Sequence, residues 1–372
     1  MSGPELATEE GVITYLKSTP FVAEKVTQLT GGTGNYTYRI HLQASYAGRN
    51  SVVLKHAKPY VKNAKSIPFA IERQKLEAEV MAKTKRFLPP DSIVTVPTVH
   101  LFDEEACVII MDDCGEGVPT LKELLLANPP SVEIGQAIGS AIGEFLAFFH
   151  TRGTLEKELT DLVSGNAAGR QISSWVTYGR LVSTLSGKDN IPALSDPPLE
   201  VLKDVLDRID TSSKEIIERA LTTNESIVMG DFWPGNILVS LSPDGKEVKR
   251  LYVIDWEMSK LGIAGWDVGQ FSAEIHLIRR FHPDRETVAS ATLSAFLKAY
   301  GAHAGASVKE GDVARTALTH VGAHLITWTP RVQWGEKEKT REVIEEGVKY
   351  YLEGTSNVIQ DLHQSIVGKL YQ

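Results

Sequence analysis

Residues 227–257 read IVMGDFWPGNILVSLSPDGKEVKRLYVIDWE, and the reading of this stretch decides the fold. Two β-rich runs, ILVSL and RLYVID, flank Ser242-Pro243-Asp244-Gly245, a set of turn-forming residues, so the stretch predicts a β-hairpin. Gly230-Asp231-Phe232-Trp233-Pro234-Gly235-Asn236 precedes the hairpin and Asp255 ends it, so three short polar side chains can converge at one end. A hard cation such as Mg²⁺ takes oxygen ligands, and an amide oxygen with one carboxylate, Asn236 and Asp255, suits a metal held against a polyphosphate. Asp231 then remains to accept the proton of an attacking hydroxyl, while in-line positioning and charge neutralisation supply the rest of a phosphoryl transfer.

Upstream of the hairpin, residues 21–111 carry strand signals in SVVLK, IVTVPTVHLF and ACVIIM, with the helix formers of AIERQKLEAEVMAKTKRFL between them. This half predicts a small α+β lobe. DDCGEGVP then breaks the pattern, as either an interlobe hinge or a plain surface turn. Beyond it, Ile134, Ile138, Ile142, Phe145, Leu146 and Phe149 recur at helical spacing and predict a core helix. Residues 151–200 are richer in Gly, Ser, Asn and Pro, which predicts irregular segments or an insertion. Helical patterns dominate from Val201 onward apart from the hairpin. The expected division is 1–113 and 114–372.

Asp231 and Asn236 have the five-residue separation of the Asp and Asn in a kinase catalytic loop, and Ile254-Asp255-Trp256-Glu257 resembles the metal-binding segment in its IDWE variant. With Gly265-Trp266-Asp267-Val268-Gly269 following, the combination resembles the aminoglycoside phosphotransferase and choline kinase superfamily. The resemblance implies a two-lobed protein-kinase-like fold, α+β in class, with ATP between a β-rich N-terminal lobe and a helical C-terminal lobe. It implies ATP and Mg²⁺ as cofactors, with the γ-phosphate going to a hydroxyl of a small molecule such as a sugar, amino alcohol or aminoglycoside.

Residue by residue, the resemblance makes Asp231 the catalytic base and Asn236 and Asp255 the metal ligands. Lys55, ending the strand SVVLK, would hold the α- and β-phosphates, and Glu77 would pair with it, with Glu79 the alternative because helix register is open. Gly32 and Gly34, in Leu29-Thr30-Gly31-Gly32-Thr33-Gly34-Asn35-Tyr36, would let backbone amides approach phosphate, although a hairpin turn explains the same glycines. Backbone groups of Asp112, Asp113 and Cys114 would face the adenine, and Met111 would line its pocket. Asp267 would support the catalytic loop by hydrogen bonding. Trp233 and Trp256 suit an acceptor wall or core filler equally.

Two departures matter. The family usually has His two residues before the catalytic Asp, and here Met229 stands, which cannot make that histidine's hydrogen bonds. This is the argument for the alternative, a non-catalytic nucleotide-binding pseudokinase module. The N-terminal lobe, through Asn35-Tyr36-Thr37-Tyr38-Arg39-Ile40 and residues 54–61, looks most like 5-methylthioribose kinase. That resemblance weakens later, since the loop from Asp231 differs from a D-L-H-T-G-S type and Arg331 lacks an adjacent Arg. A protein kinase is disfavoured by the lack of an activation segment ending in A-P-E.

Composition sets the outer limits. The chain has 372 residues, 42% hydrophobic and 23% charged, so it can bury a large core without staples. Its formal charge of −8 disfavours nucleic acid and anionic membranes as partners. Cys107 and Cys114 read as reduced thiols, the start lacks a signal-peptide order, and no apolar run approaches about 18 residues, so a cytoplasmic protein without a membrane span is expected. The histidines lack zinc-ligand spacing. Oligomeric state leaves no trace in the sequence.

Overall fold

Along Tyr36–Tyr46 the side chains of Tyr36, Tyr38, Ile40 and Leu42 are buried in alternation, the period of a strand with one face on a core. In the computed structural model, which describes residues 4–305, 312–356 and 358–372, this strand pairs antiparallel with Ala23–Gln28 on one side and Arg49–His56 on the other. Arg49–His56 pairs with Val108–Asp112, and that strand with Val99–Asp103, giving five antiparallel strands. The register sets Leu54 opposite Ile110 and Lys55 opposite Ile109. Tyr38, Ile40, Val52, Leu54 and Ile110 form one core with Val12 and Leu16 of the helix Glu9–Leu16. The expected strand IVTVPTVHLF divides into Val94–Thr95 and Val99–Asp103 around Pro97, which has no N–H for a ladder.

The chain divides into two compact units. The first comprises the described residues to Pro90, Thr95–Val118 and Tyr252–Glu257, so it takes back a short segment from far along the chain. The second comprises Asp91–Val94, Pro119–Leu251 and the described residues from Met258 onward.

Helices build the second unit. Gly135, Gly139 and Gly143 form a stripe on Val132–Phe148 that meets the backbone of Glu286–Ala304: a Cβ on Gly139 would fall 2.2 Å from the Thr292 carbonyl oxygen, and one on Gly143 2.3 Å from that of Phe296. With its continuation Phe149–Gly153 this is the one helix among the described residues long and apolar enough to cross a membrane by length and composition. It is no uninterrupted apolar run, since Glu133, Gln136, Glu144 and Arg152 interrupt it. The glycine stripe explains the composition, because the helix is built for close contact with a second helix. Asp312–Thr327 packs on both Ala264–Phe281 and Lys337–Gly354.

Residues 151–200 are mostly helical rather than irregular, in Lys157–Ser164, Ala167–Thr177, Leu181–Leu185 and Pro192–Ser195. The breakers that suggested irregularity lie between short helices: Asn166 caps one by accepting from the Gly169 amide, and Pro192 begins another. The hairpin is present as Ile237–Leu241 and Val248–Val253, closed where the Ser242 amide donates to Glu247 O. Ser226–Val228 pairs with Lys260–Gly262, setting Val228 opposite Lys260 just before the Gly230-Asp231 turn.

Candidate active site

In the first unit Lys55 lies on the strand face that meets the helix Arg73–Phe87. Gln74 locks that helix by donating to Lys55 O at 2.7 Å and accepting from the Ala57 amide at 2.8 Å. Positions 73, 74 and 77 share one helical face, and the Lys55 ammonium is 2.7 Å from the Glu77 carboxylate. It also donates to Asp255 Oδ1 at 2.6 Å. Burial opposes charge on Lys55, but Asp255, Glu77 and Glu257 more than offset it and hold the ammonium well above the usual lysine range. Asp255 itself sits at φ 66°, a left-handed conformation that aspartate tolerates better than most residues.

A second ion cluster adjoins the first. Arg73 donates to Glu257 Oε2 at 3.0 Å and to Asn35 Oδ1 at 2.8 Å, while Asn35 donates to Glu257 Oε2 at 2.8 Å. This triangle ties the end of the glycine-rich loop to the IDWE segment. A Cβ on Gly34 would lie 3.1 Å from Glu257 Oε1, so the glycine permits the approach. Gly32 meets nothing within 4 Å. Carboxylate oxygens of Glu77, Asp255 and Glu257 lie within 4.8 Å of one another, a hard-oxygen set able to receive a cation.

In the second unit Asp231 is fixed from two sides: Oδ1 accepts from Gln270 Nε2 at 2.7 Å and Oδ2 from Asn236 Nδ2 at 3.0 Å. Buried Asp267 holds the preceding turn, accepting from the amides of Met229 at 2.7 Å and Gly230 at 2.9 Å and from His150 Nε2 at 3.1 Å. Gly230 has φ 82°, and a Cβ there would fall 2.1 Å from Lys260 Nζ and 2.4 Å from Met258 O. Buried Lys260 donates to that same carbonyl at 3.2 Å, and burial pushes its ammonium down to about 8 although Asp267 and Asp231 pull the other way.

Lys55, Glu77 and Asp255 thus gather in the first unit, and Asp231 and Asn236 in the second. At the expected adenine contact, the Asp112 amide donates to Thr98 O within the sheet, and its carboxylate meets Arg49 and His100. Asp113 pairs with Arg39 at 2.7 Å, and burial pushes the Cys114 thiol up to about 12. Trp256 is fully buried and donates to Val253 O, which makes it core; Trp233 is half-buried. Sequence reasoning passed over Gln270, His150 and Lys260. Gln270 had a signal, since it stands three residues after Asp267 on one helical face.

A sequence profile described as APH, phosphotransferase enzyme family, matches residues 25–307. The chain belongs to this phosphotransferase family. Among its relatives, the 4-hydroxytryptamine kinase of Psilocybe cyanescens is 31% identical over 363 residues, 95% of this chain and 94% of that protein. A methylthioribose kinase of Bacillus cereus (strain B4264) is 26% identical over 73% of this chain and 66% of its own length. The solved ethanolamine kinase of Plasmodium vivax is 12% identical, with 95% of this chain and 88% of that one covered and a TM-score of 0.49. By its family and these relatives the phosphotransferase is a small-molecule kinase, and its own elements make it β-rich at its N-terminal side and helical at its C-terminal side.

Proposed function

We propose that this phosphotransferase moves the γ-phosphate of Mg²⁺-ATP to the hydroxyl of a small aromatic amine. The observation that carries the reaction is Asp231, a carboxylate held in one orientation by Gln270 and Asn236. The acceptor class is taken from the relatives named for 4-hydroxytryptamine, which extend over 95% of the chain.

Asp231 orients the acceptor hydroxyl and takes its proton as the oxygen bonds to the γ-phosphorus and the bond from that phosphorus to the β-γ bridging oxygen breaks, releasing ADP. Lys55 supports the α- and β-phosphates, and Glu77 holds Lys55 in place. Asn236 and Asp255 are each assigned to Mg²⁺ as an oxygen donor: the Asn236 amide nitrogen is committed to Asp231, so its oxygen is the group that would ligate, and Asp255 Oδ2 is not the atom bound by Lys55. When bound, Mg²⁺ neutralises charge on the polyphosphate. Gly32, where a Cβ would meet nothing within 4 Å, and Gly34 are assigned to the phosphates through their backbone amides, and the segment Asp112 to Cys114 is assigned to the base. The division of roles follows the expected lobes, 1–113 for the nucleotide and 114–372 for catalysis and acceptor.

Met229 does not favour the pseudokinase alternative, because Asp267 supports the turn through a backbone amide that any residue but proline offers at that position.

The test is incubation of the purified protein with Mg²⁺-ATP and a mixture of 4-hydroxytryptamine, methylthioribose, ethanolamine, choline and an aminoglycoside, with mass spectrometry for new phosphoesters. A phosphorylated hydroxyindole amine, absent from the Asp231→Asn control, is expected. No product from any acceptor, or equal product from the control, would refute the reading.

A further inference from the structure

Beside the catalytic loop an ammonium group already stands in an aromatic cage. Lys122 Nζ is 4.0 Å from the ring centre of Trp334 and 5.0 Å from that of Trp233, and it donates to Glu274 Oε2 at 3.0 Å. Two indole rings and a carboxylate are the combination that binds a protonated amine. Glu274 is buried, and His324 Nε2 holds its second oxygen at 2.9 Å, so the carboxylate is fixed independently of Lys122.

The cage is built into the machinery around Asp231. Trp233 is two residues beyond Asp231, and its ring folds over Gly235, where a Cβ would fall 2.3 Å from the ring. Glu274 lies one turn along Ala264–Phe281 from Gln270, the residue that donates to Asp231. Side chains one turn apart are separated by about 5–6 Å at Cβ, a span comparable with that between the hydroxyl and the amine of an arylalkylamine. Lys122 is the movable member: it comes from the short helix Leu121–Ala127, its side chain is 21% exposed, and its four-carbon stem can swing into water.

We infer that Trp233, Trp334 and Glu274 form the subsite for the protonated amine of the acceptor, and that Lys122 is an internal cation which this amine displaces. The inference rests on the kinase reading for the place of the hydroxyl, while the cage is testable without any phosphoryl transfer.

The experiment is isothermal titration of the full chain, without nucleotide, with tryptamine and with tryptophol, which replaces the ammonium by a neutral hydroxyl. In Lys122→Met, which keeps the length of the stem and removes the competing charge, tryptamine is expected to bind at least about fivefold tighter while tryptophol changes less than about twofold. In Glu274→Gln, tryptamine is expected to weaken at least about tenfold with tryptophol again little changed. Unchanged or weaker tryptamine binding to Lys122→Met, an equal shift for tryptophol, or no tryptamine binding to any variant would overturn the inference. Product formation in the acceptor screen alongside any of these results would leave the kinase reading standing, and amine binding without product would leave only the cage.

Discussion

Replacing Lys260 by Met should stabilise the protein, and by an amount that depends on pH. Lys260 is 2% exposed, donates to the Met258 carbonyl at 3.2 Å, and is pushed by burial from 10.5 down to about 8. That fall corresponds to about 3 kcal/mol by which folding disfavours the ammonium. The unfolded chain keeps this proton up to about pH 10.5 and the folded chain releases it near 8, so the unfolded state binds more protons in between and this group's contribution to stability rises with pH across that window. At pH 7 the penalty is almost complete, and by pH 10 it has shrunk to about 1 kcal/mol. Met has a similar volume and no charge to desolvate. Urea unfolding followed by tryptophan fluorescence should therefore show Lys260→Met more stable than the wild type at pH 7, with the advantage falling by roughly 2 kcal/mol at pH 10. Other titrating groups cancel in that double difference. An advantage equal at the two pH values would refute the reasoning, because it would mean that Lys260 is not forced to surrender its proton on folding.

Gln270→Leu should lower kcat by about 10- to 100-fold with the KM for ATP little changed, since it removes one of the hydrogen bonds that orient Asp231 without touching the first unit; steady-state kinetics checks this. Lys55→Met should weaken nucleotide binding at least about tenfold in a titration with ATP, because Glu77 and Asp255 would then face the phosphates without the intervening cation. Arg73→Met leaves Glu257 buried without its cation and should cost about 3–5 kcal/mol of stability in urea unfolding. Gly230→Ala meets both the Lys260 ammonium and the Met258 carbonyl, so loss of transfer together with a lowered unfolding midpoint is expected.

Much of the site was legible because its parts are local. The turn Ser242-Pro243-Asp244-Gly245 identifies its hairpin by backbone chemistry alone, and the spacing of Asp231, Asn236 and Asp255 follows from the loop and hairpin that carry them. What holds those groups is less local. Gln270 reaches Asp231 over 39 positions, and Arg73 reaches Glu257 over 184, so no window of sequence contains either pair. The choice of Glu77 at Lys55 depends on helix register, which Gln74 sets by clasping the end of the strand. Residues 151–200 misled for a different reason: a residue that breaks long helices also caps short ones, and composition does not distinguish the two uses.

The same separation between side chain and backbone resolves the departure at position 229. Read as a letter, methionine removes the polar group that the family resemblance implies two residues before Asp231. Asp267, however, grips the Met229 and Gly230 amides with both its oxygens, and His150, backed by the Tyr300 hydroxyl at 2.9 Å from its other ring nitrogen, steadies one of them. The Met229 side chain is fully buried and contributes volume to the core beneath the turn. Support for the turn before Asp231 therefore runs from helix to carboxylate to main chain, and its demands fall on Asp267, His150 and Gly230. A substitution at those positions removes a bond or forces a clash, whereas position 229 needs only an amide and an apolar side chain of suitable size. Catalytic competence in this phosphotransferase should accordingly be judged at Asp267 and Gly230, where the geometry is exacting, and not by the residue between Val228 and Gly230.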